Sequence, residues 1–159
     1  MIDAYRPADL ESLHRIASAP QVARMLLRFH PGMSLDDTAA ILDEQALLPP
    51  LRPTVRHRGQ VAGSIGLSAG RPARIFCFLD PGLIGQGLGQ EMVSAFLDEV
   101  VDRFDPQGLL ADVFLDNAAS RRLLKNLGFQ RGEDEVMTSM GRDAPAPAAL
   151  YRWNRRSRL

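Results

Sequence analysis

The spacing of apolar residues changes several times along the chain, and each change marks an element. Ile2 to Arg6 reads as a short opening strand. Pro7 then stands where a helix can begin, and Leu10, Leu13, Ile16 and Ala17 form a helical stripe to about Ser18. Pro20 breaks that helix. Val22, Met25, Leu26 and Phe29 mark a second short one, and His30-Pro31-Gly32 forms a loop. Ser34 caps a third helix, with Asp36 and Asp37 in its first turn and Ala40, Ile41 and Leu47 on apolar positions. Leu48 to Pro53 is a proline-rich connector. Thr54 to His57 and Val61 to Leu67 are then strand-like, joined at Arg58-Gly59-Gln60. Gly63 and Gly66 either weaken the second of these or mark the close approach of another backbone.

The densest pattern runs from Ala73 to Val101. Ile75 to Leu79 is an unbroken β-prone run, ended by Asp80-Pro81-Gly82. Gly85, Gly87 and Gly89 alternate with Gln86 and Leu88, and from Leu88 the apolar residues take helical spacing through Met92, Ala95, Phe96 and Val100. Leu109 to Leu115 reads as a buried strand. Asp116 or Asn117 caps a helix through Ser120, Leu123, Leu124 and Leu127, which Gly128 ends. Val136 to Met140 and Leu150 to Trp153 read as a closing pair of strands. The order of elements predicts a mixed α/β fold (α+β mixed) around one sheet, in a single domain spanning residues 1–159.

Composition narrows the class without changing the fold. The chain has 159 residues, 24% charged and 45% apolar, which suits one soluble domain. Its 19 basic and 19 acidic residues cancel, so no overall basic field invites nucleic acid. Arg152, Arg155, Arg156 and Arg158 form one basic cluster, better read as a solvated tail than as a nucleic-acid contact because no aromatic platform accompanies it. Cys77 is the only cysteine, which excludes an intrachain disulfide and a thiolate metal cage. No metal site, membrane span or signal segment is expected, and a cytoplasmic protein is the prior.

A glycine-rich turn opening a helix presents backbone N–H groups at the positive end of a dipole, and its natural guest is a phosphate. Three such loops must be separated. A Walker A loop needs Gly-Lys-Ser/Thr, but Gly89 is followed by Gln90 and Glu91. A dinucleotide fingerprint needs its third glycine three residues after the second, and from Gly87 that position is Gln90. ATP and NAD are therefore poor guests. The stretch PGLIGQGLGQEM resembles instead the acyl-CoA loop of the GNAT superfamily of N-acetyltransferases, whose Q/R-x-x-G-x-G/A pattern falls here on Ile84, Gly85, Gln86, Gly87, Leu88 and Gly89. Both glycines match, and Ile84 departs from the leading Gln or Arg.

A second stretch, LLADVFLDNAASRRLLKNLGF, is similar to that superfamily's later strand and helix, with Asn117, Ser120, Leu127, Gly128 and Phe129 in place. Together with the opening AYRPADLESLHRIASAPQVARML it resembles the branch of ribosomal-protein N-terminal (alanine/serine) acetyltransferases. From the residues alone, Asn117 and Ser120 read first as ordinary helix caps. The resemblance implies a mostly antiparallel sheet with splayed parallel middle strands flanked by helices, and acetyl-CoA as co-substrate.

It also implies site residues. Cys77, Phe78 and Leu79 would pair with the pantetheine arm through main chain, and an N–H near Leu79 would meet the thioester oxygen. Gly85, Gln86, Gly87, Leu88, Gly89 and Gln90 would hold the pyrophosphate, and Asn117 and Ser120 the arm or its sulfur end. Arg121 would reach the 3′-phosphate or be solvated. Asp112 stands where some relatives carry a Glu base, or is a strand carboxylate facing solvent or an arginine, and Leu124 stands where they carry a Tyr acid, so Ser120 or a water would serve as the proton donor, or none is needed. Phe29 and His30 fall where the acceptor site is built. His14 and His57 are the other imidazoles, with His14 expected on the surface. The implied reaction is acetyl transfer to a primary amine, on a small molecule or at a peptide α-amine. The competing reading is a non-catalytic acyl-CoA-binding module, which would bind CoA without releasing free thiol. A monomer or homodimer is expected, with no nucleic-acid or membrane partner.

Overall fold

The computed structural model describes residues 1–43 and 49–158. Leu47 and the start of the proline-rich connector fall outside that set. Among the described residues seven strands form one sheet in the order β1-β2-β3-β4-β5-β7-β6. They are β1 (Ile2–Asp3), β2 (Thr54–His57), β3 (Gln60–Leu67), β4 (Ala73–Leu79), β5 (Gly108–Phe114), β6 (Gln130–Met137) and β7 (Ala146–Asn154). Every neighbouring pair is antiparallel except β4 and β5. The helices are α1 (Leu10–Ala17), α2 (Pro20–Ala23), α3 (Leu35–Leu42), α4 (Leu88–Phe104) and α5 (Ala118–Asn126).

The two faces of the sheet carry two cores. On one, Met92, Val93, Phe96, Leu97 and Val100 of α4 pack on Ile65, Ile75, Leu109, Ala111 and Val113, with Leu124 and Phe129 beside them. Each such side chain, fully buried, contributes about 1.5–3 kcal/mol. On the other, α1 and α3 bring Leu13, Ile16, Ile41 and Leu42 against Phe29 and Phe78. Alternation along a strand sends neighbours to opposite faces. Cys77 and Leu79 therefore lie with the α4 core, and Phe78 with the other.

Gly63 and Gly66 mark close approach. A Cβ on Gly66 would stand 2.1 Å from the Leu51 carbonyl oxygen, and one on Gly63 2.0 Å from that of Phe78. Residues 49–53 thus run beside β3, with Leu51 and Leu67 exchanging backbone hydrogen bonds of 2.8 and 3.1 Å.

Four expectations shift. The opening strand stops at Asp3, and the second helix stops at Ala23 instead of reaching Phe29. The last pair of strands is longer and begins earlier, at Gln130 and Ala146. β6 has no apolar alternation because it is an exposed edge strand, where charged residues such as Arg131, Glu133 and Asp134 guard against pairing with another chain. His14, expected at the surface, joins α1 to α3 through a 2.8 Å contact of Nδ1 with Thr38 Oγ1.

A buried polar group holds the amino-terminal segment. Asp9 is 3% exposed and accepts from Arg56 Nη2 at 2.8 and 2.9 Å, Thr54 Oγ1 at 3.0 Å and the Arg6 N–H at 3.1 Å. Burial alone would raise its carboxyl; the Arg56, Arg6 and Thr54 hydrogen bonds outweigh burial and hold it below the usual range.

Candidate active site

The site grows from the one parallel strand pair. β4 and β5 are in register only at Ala73 with Leu109 and Arg74 with Leu110. Beyond Arg74 they part, while β4 stays paired with β3 as far as Leu79 and β5 with β7 as far as Phe114. The result is a V-shaped gap in the middle of the sheet. The Asp80 N–H donates to the Ala62 carbonyl at 2.7 Å, as the Ser68 N–H does to Arg74 at 2.8 Å. By antiparallel alternation Phe76 and Phe78 turn their main chain to β3, and Cys77 and Leu79 turn theirs into the gap. Of the three residues expected to meet a pantetheine arm, two present backbone there. Phe78 instead packs its ring edge-on against Phe29, centroids 5.6 Å apart at 65°.

At the open end of the gap lies the glycine turn. Asp80 Oδ1 accepts the Gly82 N–H at 2.9 Å and starts a 3-10 turn over Pro81–Leu83. Gly85 and Gly87 then take φ of +85° and +78°, a conformation costly for residues with a Cβ. Nothing lies within 4 Å of a Cβ built on either, so conformation and not crowding requires them. Gly87 is the N-cap of α4, and no side chain caps that end. The first backbone bond inside the helix is from Glu91 to Gly87, so the N–H groups of Leu88, Gly89 and Gln90 point forward from the turn. An open, positively polarised cradle of this kind fits a pyrophosphate. Gln86 turns its side chain back to the Gly82 carbonyl at 3.3 Å, and Ile84 is 60% exposed beside it.

Facing the turn is α5. Asn117 Oδ1 accepts the Ser120 N–H at 3.2 Å, so the capping role is real, and both side chains are half-buried. Asn126 Nδ2 donates to Gln90 Oε1 at 3.3 Å, which identifies the side of α5 that looks toward α4. Arg121 lies on the other side. Its Nη1 donates to the Leu115 carbonyl at 3.0 Å, and it lines a groove with Arg122, Lys125, Arg131 and Tyr151. The structure thus separates Arg121 from the glycine turn. Leu124 is buried in the α4 core.

The opposite face of the gap carries the ionisable groups. Leu109, Ala111 and Val113 face α4, so Asp112 and Phe114 face away from it. Arg74 Nε donates to Asp112 Oδ2 at 2.7 Å, at the closed end of the V. Glu135 of β6 reaches the same place. Burial first, then hydrogen bonding and repulsion from Asp112, raise its carboxyl above the usual range. Phe29 is 4% exposed and committed to the core, while His30 is half-buried with Nδ1 2.9 Å from the Pro31 carbonyl. The cysteine is no nucleophile, since burial pushes the Cys77 thiol up to about 11.

A parted parallel pair with free main chain, closed by a bare helix start, fits a transferase that takes an acyl-CoA thioester. The sequence profile of the acetyltransferase (GNAT) domain matches residues 1–130. The chain belongs to that family and is an N-acetyltransferase with acetyl-CoA as co-substrate. No curated protein sequence matches it. Among solved structures it is similar to RimL, a ribosomal L7/L12 α-N-protein acetyltransferase in complex with coenzyme A, at 17% identity and TM-score 0.81, over 96% of this chain and 92% of that one. It is also similar to spermidine N-acetyltransferase from Vibrio cholerae in complex with CoA and spermine, at 15% identity and TM-score 0.84, over 99% and 96%. A third is ribosomal-protein-alanine N-acetyltransferase from Brucella melitensis, at 19% identity and TM-score 0.78, over 97% and 99%. At these identities the likeness is one of fold. Among the described residues no helix is long and apolar enough to cross a membrane.

Proposed function

We propose that the chain acetylates a primary amine by direct attack, with an α-amino group of a peptide or small molecule as the preferred acceptor. The observation that carries this reading is the gap between β4 and β5, with the unpaired main chain of Cys77 and Leu79 on one side and Asp112 on the other. The thioester supplies an acetyl group whose C–S bond breaks as the C–N bond forms, with CoA leaving as the thiol. The residues of the chain hold and orient. The Cys77 and Leu79 backbone would pair with the pantetheine arm, and the Leu79 N–H would meet the carbonyl oxygen, a donor contributing about 3 kcal/mol. The N–H groups of Gly85 to Gln90 would take the pyrophosphate, and Asn117 Nδ2 and the Ser120 hydroxyl the arm.

Asp112 would accept the proton of the attacking amine. The acceptor class follows from how little base strength the site offers. Neutralising a lysine-like amine at pH 7 costs about 4.6 kcal/mol and an α-amine about 1 kcal/mol. A carboxylate already engaged by Arg74, with Glu135 against it, suits the second. The same ion pair, with Leu124 in place of a hydroxyl donor, also favours a second reading, an acyl-CoA-binding module without turnover.

A thiol-release screen with acetyl-CoA against amino acids, N-terminal peptides, polyamines and aminoglycosides separates the two. Release is expected with α-amines. Saturable CoA binding with no release from any amine would establish the second reading.

A further inference from the structure

The far wall of the gap is pinned by a side-chain network that sequence reading passes over. α2 ends at Ala23, whose carbonyl already accepts the Leu26 N–H at 3.0 Å. Residues 139–142, just after β6, bind this stretch and the carbonyls that follow it. The Met140 N–H donates to the Leu27 carbonyl at 3.0 Å, Ser139 Oγ to those of Ala23 and Leu26, and Arg142 Nε to that of Arg24 at 2.6 Å. The two segments touch so closely that a Cβ on Gly141 would stand 2.4 Å from the Ala23 carbonyl carbon.

Arg142 then reaches a third element. Its side chain is 9% exposed, and its guanidinium lies 3.9 Å from the ring centroid of Phe114, the last residue of β5. Nη1 and Nη2 grip both oxygens of Asp116 at 2.9 and 2.8 Å, and Arg24 adds a third bond at 3.0 Å. These hydrogen bonds, Arg142's foremost, hold the Asp116 carboxyl below its usual range. Asp116 directly precedes Asn117, the N-cap of α5. One guanidinium therefore ties residues 23–27 on the acceptor side to the helix cap on the cofactor side. A planar two-bond fork is a stiff connector.

We propose that Arg142 is a positioning residue that couples the two halves of the site: occupancy of the α5 cap by CoA orders residues 23–30 through Asp116 and Arg142. By linkage an acceptor held by 23–30 then favours the cofactor equally. The inference rests on the reading that Asn117 and Ser120 hold the pantetheine arm.

Hydrogen exchange of the whole chain, with and without CoA, tests it in the wild type and in Asp116→Asn, Arg142→Ala and Arg142→Lys. In the wild type, CoA should slow exchange about tenfold or more in both 117–121 and 23–30. In Asp116→Asn and Arg142→Ala it should slow 117–121 alone, and Arg142→Lys should recover part of the effect on 23–30. A merely structural Arg142 would change exchange equally with and without CoA. CoA slowing 23–30 in Asp116→Asn as strongly as in the wild type would overturn the coupling, as would a wild type in which only 117–121 responds. Should Arg142→Ala fail to fold, Asp116→Asn gives the answer, because Asp116 is 46% exposed at its side chain. No response at 117–121 in the wild type would instead remove α5 from the cofactor site, and the coupling with it.

Discussion

The two walls of the gap are built from different materials. The β4 and α4 wall presents main chain: the turned-out backbone of Cys77 and Leu79 and the bare helix start at Gly87. The wall formed by β5, β6 and the 23–30 and 139–142 segments works through side chains, with Asp112 on Arg74 and Arg142 on Asp116. A backbone wall constrains few residue identities, so Ile84 can replace a family Gln or Arg. A side-chain wall depends on each partner, and there a single substitution should do more than its exposure suggests.

Substitutions sharpen this contrast in order of size. The largest effect is away from both walls, at the buried Asp9 that holds the amino-terminal segment to β2. Asp9→Ala leaves Arg56 with Asp3 as its carboxylate partner and the Thr54 hydroxyl without its acceptor, and should cost about 1.5–3 kcal/mol in denaturant unfolding. The sign of the pH effect follows from the lowered carboxyl. The stability Asp9 contributes is present in full above its unfolded value of 3.8 and is lost as pH falls through the lower folded value. Asp9→Asn should therefore flatten acid unfolding below pH 3.8 relative to the wild type.

Asp112→Asn should lower turnover about 100-fold with acetyl-CoA affinity unchanged, most severely at low pH where the amine is protonated. Unchanged turnover would move the proton acceptor elsewhere. On the backbone wall, Gly87→Val forces a β-branched residue to φ +78° and should weaken acetyl-CoA about tenfold by titration while β1 to β3 stay folded. The smallest effect is a gain. Ile84→Arg adds an exposed cation at the loop and should tighten acetyl-CoA about two- to fivefold, a gain that salt erases.

The same contrast explains what the sequence made legible. The glycine turn could be read because left-handed backbone demands a residue type, and Gly85 and Gly87 state it directly. β4, β5 and α4 could be read because their apolar spacing is set by burial on one face. The Arg142 network could not. Its partners lie 26 and 118 positions away, and a charged residue read in isolation is taken as solvated. Asp9 was hidden for the same reason, with Arg56 47 positions along the chain. β6 was misplaced because an edge strand of charged residues has no apolar period.

On the proposed reading, main chain at β4 and the α4 start holds acetyl-CoA. Isothermal titration of the intact chain with acetyl-CoA tests it most directly. Saturable binding at one site per chain, with a dissociation constant below about 1 mM, is the predicted result, and no heat of binding at millimolar acetyl-CoA would contradict it.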